Sequence, residues 1–482
     1  MGRETQGGAG QTAIEGILPE EAGGDNLQTP DWSNASHSPK HERGANVQNS
    51  SNQSGQREGS NGAWFLGCRS RRCGAHAGTL GGNGVAPQAI AVKISNSMAA
   101  PIRILTAVPI CDGHDSAINT INLEFIRHGI EVVYLGYHRY AEDIVRAAIQ
   151  EDVRAIGISS YNGGHVEFFA EVVRLLKKQG ADDIQVFGGG GGTITHEDQK
   201  VMERRGVDKI FFAGTPLSEM VEFVHDRYGK AKRGKKAPTA EMKLARKLTE
   251  IEDAYAKGKK KRPTPNAKRL TSNRKQGSGK NNRKRVIGFT GPGGAGKTTL
   301  IDELVLRLLH REPKTRIAIL SHDPSVVGEG ALLGDRATMI NSQDERVFMR
   351  SMATRGQAGG LSPATEDCLR LLAESPFDYV IIETVGTGQE AMPFRSKLID
   401  ETVLVMNPDY GARLQLQKIV MLDLADIVVV NKSDQDRART AALEIKRRLE
   451  QNKRPQKLIS TVAKRHRDRG VDKLCDLLTE KK

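Results

Sequence analysis

Residues 286–300 read Val-Ile-Gly-Phe-Thr-Gly-Pro-Gly-Gly-Ala-Gly-Lys-Thr-Thr-Leu: an apolar run, a glycine-rich turn, a lysine with two hydroxyls, and the first residue of an apolar helix. The pattern G-x-x-x-x-G-K-[ST] between a strand and a helix predicts a loop that wraps phosphates. Gly291, Gly293, Gly294, Ala295 and Gly296 let successive backbone N–H groups turn inward at the helix N-terminus. Lys297 is placed to neutralise β- and γ-phosphate oxygens, Thr298 to ligate Mg²⁺, and Thr299 to continue the cradle. A loop of this kind leaves a strand of a parallel sheet, so the fold class expected here is α/β.

Downstream, near-continuous apolar runs predict strands at 286–289, 317–321, 379–383, 401–406 and 427–431. Runs such as YVIIE and IVVVN suit strands covered on both faces. The last of them ends in Asn431-Lys432-Ser433-Asp434. A carboxylate at Asp434 accepts from guanine N1–H and its 2-amino group, which adenine does not offer, so the nucleotide expected is GTP. Ala463, in Thr461-Val-Ala463, is expected in the last loop over the base. Between the two motifs, Asp323, Asp335 and Glu383, with Thr384, stand at strand ends where carboxylates address Mg²⁺ directly or through water. Glu383 replaces the more usual Asp, its extra methylene favouring a water-mediated contact. Gly386 is expected to offer its N–H to the γ-phosphate, and Gln389 to orient the attacking water, making 383–389 a switch segment. Lys297, Thr298, Glu383 and Gln389 form the expected catalytic set.

Upstream, residues 229–285 hold 21 Lys and Arg against 4 Asp and Glu, a local +17 that more than accounts for the net charge of +14 of the 482-residue chain. With Gly, Pro, Ser and Asn interspersed, this stretch reads as a solvated basic linker, 229–284, with one helix inside it at 240–257. The folded parts are not basic, and a nucleic-acid partner is not expected. Before the linker, strands at 102–108, 131–135, 155–159, 184–187 and 209–213 alternate with helices and predict a first doubly wound parallel sheet in a domain at 98–228. The second such domain covers 285–482. Residues 1–97 are rich in Gly, Ser, Asn, Gln and Glu, without periodicity, and are expected to be disordered, with Met98 as an alternative start.

Five cysteines, Cys68, Cys73, Cys111, Cys368 and Cys475, are scattered and odd in number, which suits free thiols in a reducing cytoplasm. Cys68 and Cys73 with His76 lack the fourth ligand and spacing of a metal site. No apolar run approaches the ~18 residues of a membrane span, and no charged-then-apolar leader opens the chain, so neither a membrane partner nor secretion is expected.

In the first domain, the first strand is followed by Asp112-Gly113-His114-Asp115-Ser116-Ala117. Ser159 begins Ser-Ser-Tyr-Asn-Gly-Gly after the third strand, and five glycines, 188–192, close the fourth. This resembles the cobalamin-binding domain of adenosylcobalamin-dependent mutases, whose D-x-H-x-x-G is followed after 41 residues by S-x-L and then a glycine pair. The same 41 residues separate Ala117 from Ser159 here, and Gly191 and Gly192 match the pair. The resemblance implies that His114 ligates cobalt, with Asp112 behind it accepting the other ring N–H, and that Ser159, Gly191 and Gly192 line the slot for the base that has left cobalt. Ala117 in place of Gly and Tyr161 in place of Leu depart from the pattern.

The second domain resembles the G-protein chaperones of acyl-CoA mutases over the whole of 285–482. Met-Asn-Pro-Asp-Tyr-Gly-Ala at 406–412, Gln-Leu-Gln-Lys-Ile at 415–419 and Met-Leu-Asp-Leu-Ala-Asp at 421–426 are similar to the G-domain of the fused isobutyryl-CoA mutases. Between Asp323 and Asp335 the chain is one residue short and reads Val-Val-Gly-Glu-Gly, and Thr338 stands where that family has Arg. The resemblance implies a GTP-hydrolysing chaperone that carries adenosylcobalamin and gates its loading. A barrel of ~250 residues would hold the acyl-CoA and would come from a separate chain or a missing C-terminal portion. A homo-oligomer is expected. Two other readings are a cobalamin-dependent sensor with a GTPase switch, and an RNA-associated GTPase using the basic linker.

Overall fold

Two β-α series build two parallel sheets. The structure, a computed structural model, describes residues 100–230, 234, 237–258, 284–326, 328–386, 398–410, 420–452 and 454–480, all within one compact unit, Ile90–Lys482. The disorder expected of 1–97, with Cys68, Cys73 and His76, and the position of Gln389 lie outside the described residues.

The first domain runs β1 (Arg103–Ala107), α1 (Ser116–Arg127), β2 (Glu131–Tyr134), α2 (Ala141–Glu151), β3 (Ala155–Ser159), α3 (His165–Gln179), β4 (Gln185–Gly190), α4 (His196–Arg204), β5 (Lys209–Phe212) and α5 (Leu217–Tyr228). Helix α6 (Ala240–Ala256) follows. The second domain continues with β6 (Arg285–Thr290), α7 (Lys297–Arg311), β7 (Ile317–Asp323), β8 (Ala331–Leu333), α8 (Asp335–Thr338), β9 (Val347–Ala353), α9 (Thr365–Glu374) and β10 (Tyr379–Glu383). It ends with β11 (Glu401–Met406), α10 (Val420–Leu424), β12 (Ile427–Val430), α11 (Ala438–Glu450), β13 (Lys457–Ser460) and α12 (Arg469–Thr479).

The sheet orders are β5-β4-β3-β1-β2-β8 and β13-β12-β11-β6-β10-β7-β9. Each strand pairing is parallel. In both sheets the first strand of the series sits inside, with later strands added on either side, so the loops leaving its carboxyl end open onto the crevice where doubly wound sheets bind ligands. Those loops are 108–115 after β1 and the glycine-rich 291–296 after β6.

Strand β8 is one of three strands, with β9 and β13, that sequence patterning misses. Although it belongs to the second series, it pairs with β2 of the first sheet, Glu131 opposite Ala331 and Val133 opposite Leu333. Three residues are too few to show a period, and their partner lies about 200 positions upstream. Strand β9 escapes for another reason. Its run VFMRSMA is interrupted by Arg350, which is buried and paired rather than solvated.

Helix α6 was expected as part of a solvated linker, and instead it is packed on both domains. Met242 joins the core of the first sheet, while Ala245 and Leu248 join the core beneath the second. Its Glu252 enters a buried ion network. Arg103 at the start of β1 binds Glu131 at 2.8 Å and Glu252 at 2.9 Å. Arg350 of β9 donates to Glu252 and to the Glu151 carbonyl at 2.6 Å, and Arg355 reaches Glu131 at 2.9 Å. Glu151 at the end of α2 accepts from Arg336 at 3.2 Å and from the Ser351 N–H at 3.0 Å. Burial raises the cost of the Glu252 charge, but Arg103, Arg350 and Arg355 outweigh it and pull the carboxyl down to about 2.

Such a network adds little net stability, because desolvation offsets attraction, yet removing one member strands the others. Glu252→Ala is expected to cost about 3–5 kcal/mol in denaturant unfolding at neutral pH. Because the folded carboxyl lies below its unfolded value of about 4.3, its contribution is fully present above pH ~4.5 and is lost as pH falls toward 2. The gap between parent and variant should therefore narrow in acid.

Candidate functional site

The glycine-rich loop takes its shape from contacts that exclude side chains. Gly291 has φ +145° and a Cβ there would meet the Val405 carbonyl at 2.0 Å, while at Gly296, φ +83°, it would meet the Asn431 amide at 2.6 Å. The loop is anchored to the base-reading side by Asn431. Its Nδ2 donates to the Ala295 carbonyl at 2.9 Å, and its Oδ1 accepts from the Thr461 hydroxyl and the Ala463 N–H, each at 3.0 Å. Asp434 is paired with Lys464 at 2.6 Å, which holds its carboxyl below the ordinary value. The phosphate motif, the Asn-Lys-Ser-Asp motif and the Ala463 loop therefore meet, as the sequence predicts. Lys432 takes φ +57° in the turn between them. Thr299 stands exposed beside Thr298.

Lys297 is buried and its ammonium donates to the carbonyls of Gly291, 3.2 Å, and Pro292, 3.4 Å. Thr298 donates to Glu383 Oε1 at 2.9 Å. Asp335 accepts from the Ser321 hydroxyl. Glu383 Oε2 and Asp323 Oδ2 are buried with no hydrogen-bond partner. Burial lifts the Glu383 carboxyl to about 8, Asp335 adding to the effect and Lys297 opposing it. The Asp323 carboxyl is raised by burial and then by Asp335 and Glu383. Two orphaned carboxylate oxygens in a mutually repelling trio are a donor set that a hard divalent cation would satisfy. Among the described residues no three His, Cys, Asp or Glu side chains converge enough to hold a metal alone. That suits Mg²⁺, which takes one or two protein oxygens together with phosphate and water.

Two expected residues sit differently. Thr384 points its hydroxyl at Thr290, 3.0 Å away and buried, rather than at the carboxylates. Gly386 lies against the loop through its carbonyl, which accepts from the Gly293 N–H at 2.7 Å. His322, between Ser321 and Asp323, is the residue that motif reading misses. Its Nδ1 hydrogen-bonds the Glu383 carbonyl and its Nε2 the Thr365 hydroxyl, both at 2.8 Å. Burial lowers its pKa to about 4, so the ring is neutral and ties the β7 end to the β10 end. A histidine inside an apolar strand was the available signal.

In the first domain Asp112 is fully buried and fastens two loops. Oδ1 accepts from the His114 N–H at 3.0 Å and ring Nδ1 at 2.7 Å, and Oδ2 from the N–H groups of Tyr161 and Asn162. Burial works against its charge, and these donors outweigh it and hold the carboxyl below its ordinary value. Nδ1 so held leaves His114 Nε2 available, on a side chain 61% exposed. The Tyr161 ring lies 4.8 Å from the imidazole. Exposed Ile110, Tyr137 and Tyr140 lie in the neighbouring loops after β1 and β2. Of the five glycines, 188 to 190 are required by the sheet itself: a Cβ at Gly190 would meet the Ser160 carbonyl at 2.0 Å. Gly191 and Gly192 lie beyond β4, Gly191 against the Tyr161 ring and Gly192, φ +86°, facing open space. Ser159 ends β3 beside them. A histidine held by a buried carboxylate, next to an open glycine rim at the switch point of the sheet, is a donor set that would fit cobalamin.

Two family models match the chain: the B12 binding domain over residues 102–221 and the methylmalonyl-CoA mutase-associated GTPase MeaB over 244–482. A fused isobutyryl-CoA mutase of Geobacillus kaustophilus is 37% identical over 368 residues, covering 73% of this chain and 33% of that protein. Another, of Cupriavidus metallidurans, is 35% identical over 393 residues, covering 77% and 35%. A crystal structure of a cobalamin-binding protein from Desulfitobacterium hafniense is 25% identical over 26% of this chain and 59% of that one, with a TM-score of 0.24. The chain spans about a third of the length of the mutases it matches. The first domain is a B12-binding domain and the second a GTPase domain of the MeaB family, joined as in the N-terminal portion of a fused isobutyryl-CoA mutase.

Proposed function

We propose that this chain is a GTP-hydrolysing chaperone that carries adenosylcobalamin and gates its loading onto an acyl-CoA mutase barrel. The observation that carries the reading is the presence, in one compact unit, of a carboxylate-backed histidine at the edge of one sheet and, at the edge of the other, a glycine-rich loop tied through Asn431 to the Asn-Lys-Ser-Asp motif. Isobutyryl-CoA or methylmalonyl-CoA chemistry belongs to the partner barrel, a separate chain or a continuation of this one. A homo-oligomer in the cytoplasm is the setting we infer.

At the nucleotide site the loop amides and Lys297 bind the phosphates, and Asp434 exchanges Lys464 for the guanine edge. Thr298 and the Asp323, Asp335 and Glu383 carboxylates would hold Mg²⁺ directly or through its waters, and the ion would supply charge neutralisation at the β- and γ-phosphates. Gln389 is our candidate for orienting water. Neutral His322 keeps the Glu383 backbone fixed while charge changes beside it. At the other site His114 would ligate cobalt and Asp112 would keep the imidazole proton on Nδ1. Ser159, Gly191 and Gly192 would leave room for the displaced base. The bound cofactor supplies radical chemistry to the barrel.

GTP turnover should fall at least about 100-fold in Lys297→Ala, and to background on chelation of divalent cations, returning with added Mg²⁺; full turnover in either case would refute the assignment. Adenosylcobalamin mixed with the chain should shift in absorption to the base-off, histidine-bound form, and His114→Ala should abolish the shift; an unaltered spectrum removes His114 from the cobalt. When an acyl-CoA mutase barrel is added to the cobalamin-loaded chain, isomerase activity should appear with GTP and be held back by a non-hydrolysable analogue. Equal activity with both would end the gating role.

A further inference from the structure

Segment 331–338 belongs to both sites at once. At its nucleotide end Asp335 is one of the three clustered carboxylates and accepts from Ser321. At its other end β8 is the sixth strand of the B12-binding sheet. Arg336, the next residue after Asp335, is fully buried and donates to Glu151 and Gln150 of α2, at 3.2 and 2.9 Å. The carbonyl of Ala337 then accepts from Arg139 Nη2 at 2.7 Å.

Arg139 stands in the turn after β2, and its backbone faces the loop that carries His114. Its N–H donates to the Val108 carbonyl at 3.1 Å, the Val108 N–H donates to the Gly136 carbonyl at 3.0 Å, and Pro109 bridges to Arg139. Next to it, His138 Nδ1 hydrogen-bonds the Ile110 carbonyl at 3.0 Å. The turn 136–139 is thus laced to 108–110, directly before Asp112 and His114. Gly136, φ +89°, brings the guanidinium across: a Cβ there would stand 3.3 Å from Arg139 Nη2 and 3.5 Å from the Ala337 side chain. The guanidinium is half-buried, with Nε left without a partner. For fastening alone that is a costly group, since an apolar side chain would fill the gap without a desolvation cost. A directional link between two backbones is what it provides.

We propose that Arg139 is the positioning residue that couples the two sites. The single turn α8 carries any displacement of Asp335, caused by cation and γ-phosphate, to the Ala337 carbonyl two residues on, and Arg139 passes it to the His114 loop. Affinity for adenosylcobalamin then depends on whether the nucleotide is a diphosphate or a triphosphate, and by linkage cobalamin changes nucleotide affinity by the same factor. The inference rests on the two-site reading above, and the experiment separates them.

Adenosylcobalamin is titrated by absorption into the full chain loaded with Mg²⁺ and either GDP or a non-hydrolysable GTP analogue. The expected ratio of the two dissociation constants is at least about fivefold. In Arg139→Ala it should fall below about twofold, with GDP affinity and melting temperature near those of the parent. Arg139→Lys, which keeps a donor of similar reach, should recover part of it. Should Arg139→Ala fold poorly, Arg139→Gln, too short to reach Ala337, takes its place with the same expected loss. A parent ratio near one, or an undiminished ratio in the variants, overturns the coupling while leaving both sites standing. Absence of His114-dependent binding in the parent would instead overturn the two-site reading, and the coupling with it.

Discussion

The buried ion network between the domains is the constraint on which the rest of the arrangement depends. Arg103, Glu131 and Glu151 come from the first domain, Glu252 from α6, and Arg336, Arg350 and Arg355 from the second. Charges removed from water this completely tolerate one arrangement of partners. A docking shifted by a residue would leave guanidiniums and carboxylates facing apolar surface, at a cost of several kcal/mol per stranded ion. Apolar contact alone, which is non-directional, would allow many more relative orientations. The helix between the domains is accordingly a wedge that supplies the central carboxylate.

With the domains locked in this way, the two ligand-facing edges inherit fixed positions. Buried polar residues then do the local work at each edge: Asp112 binds the β1 and β3 loops together, Asn431 binds the phosphate loop to the base loops, and His322 binds the ends of β7 and β10. All three sit at or just beyond the carboxyl ends of parallel strands, where two segments converge. Each uses more than one hydrogen-bonding atom, so that losing the side chain would release two segments at once. The Asp323, Asp335 and Glu383 carboxyls are the exception: burial raises all three, Lys297 opposes the rise at Glu383 and Asp335, and Glu383 Oε2 and Asp323 Oδ2 keep no hydrogen-bond partner.

Much of this was legible in the residues. Long apolar runs gave all five strands of the first series and β6, β7, β10, β11 and β12 of the second to within about three residues, because central strands of a parallel sheet have no polar face to blur them. The phosphate loop and the Asn431–Asp434 motif are local in sequence, so their geometry follows from the pattern. The histidine of the first domain needed a resemblance, since Asp112 and Tyr161 are brought together only by the fold. What patterning missed is tertiary. Arg350 looks like a strand breaker until Glu252 is known to be opposite it. Helix α6 looks solvated because the charge of its flanks dominates its composition, while Met242, Ala245 and Leu248 are buried. Thr384 and Gly386 were assigned by position along a motif, and a motif does not say which atom of a residue faces the site.

Strand β8 also bears on how this protein can be taken apart. It covers the outer hydrogen-bonding edge of β2, whose residues are Glu-Val-Val-Tyr. A B12-binding domain expressed without the second domain would therefore present a bare apolar edge strand, with Glu131 stripped of Arg355, and such edges recruit other chains. The natural cleavage point suggested by the sequence, the basic stretch before β6, is consequently a poor place to divide the molecule. Separated halves would be expected to self-associate through β2, and the solubility of the first half would depend on a short strand that the second half lends it.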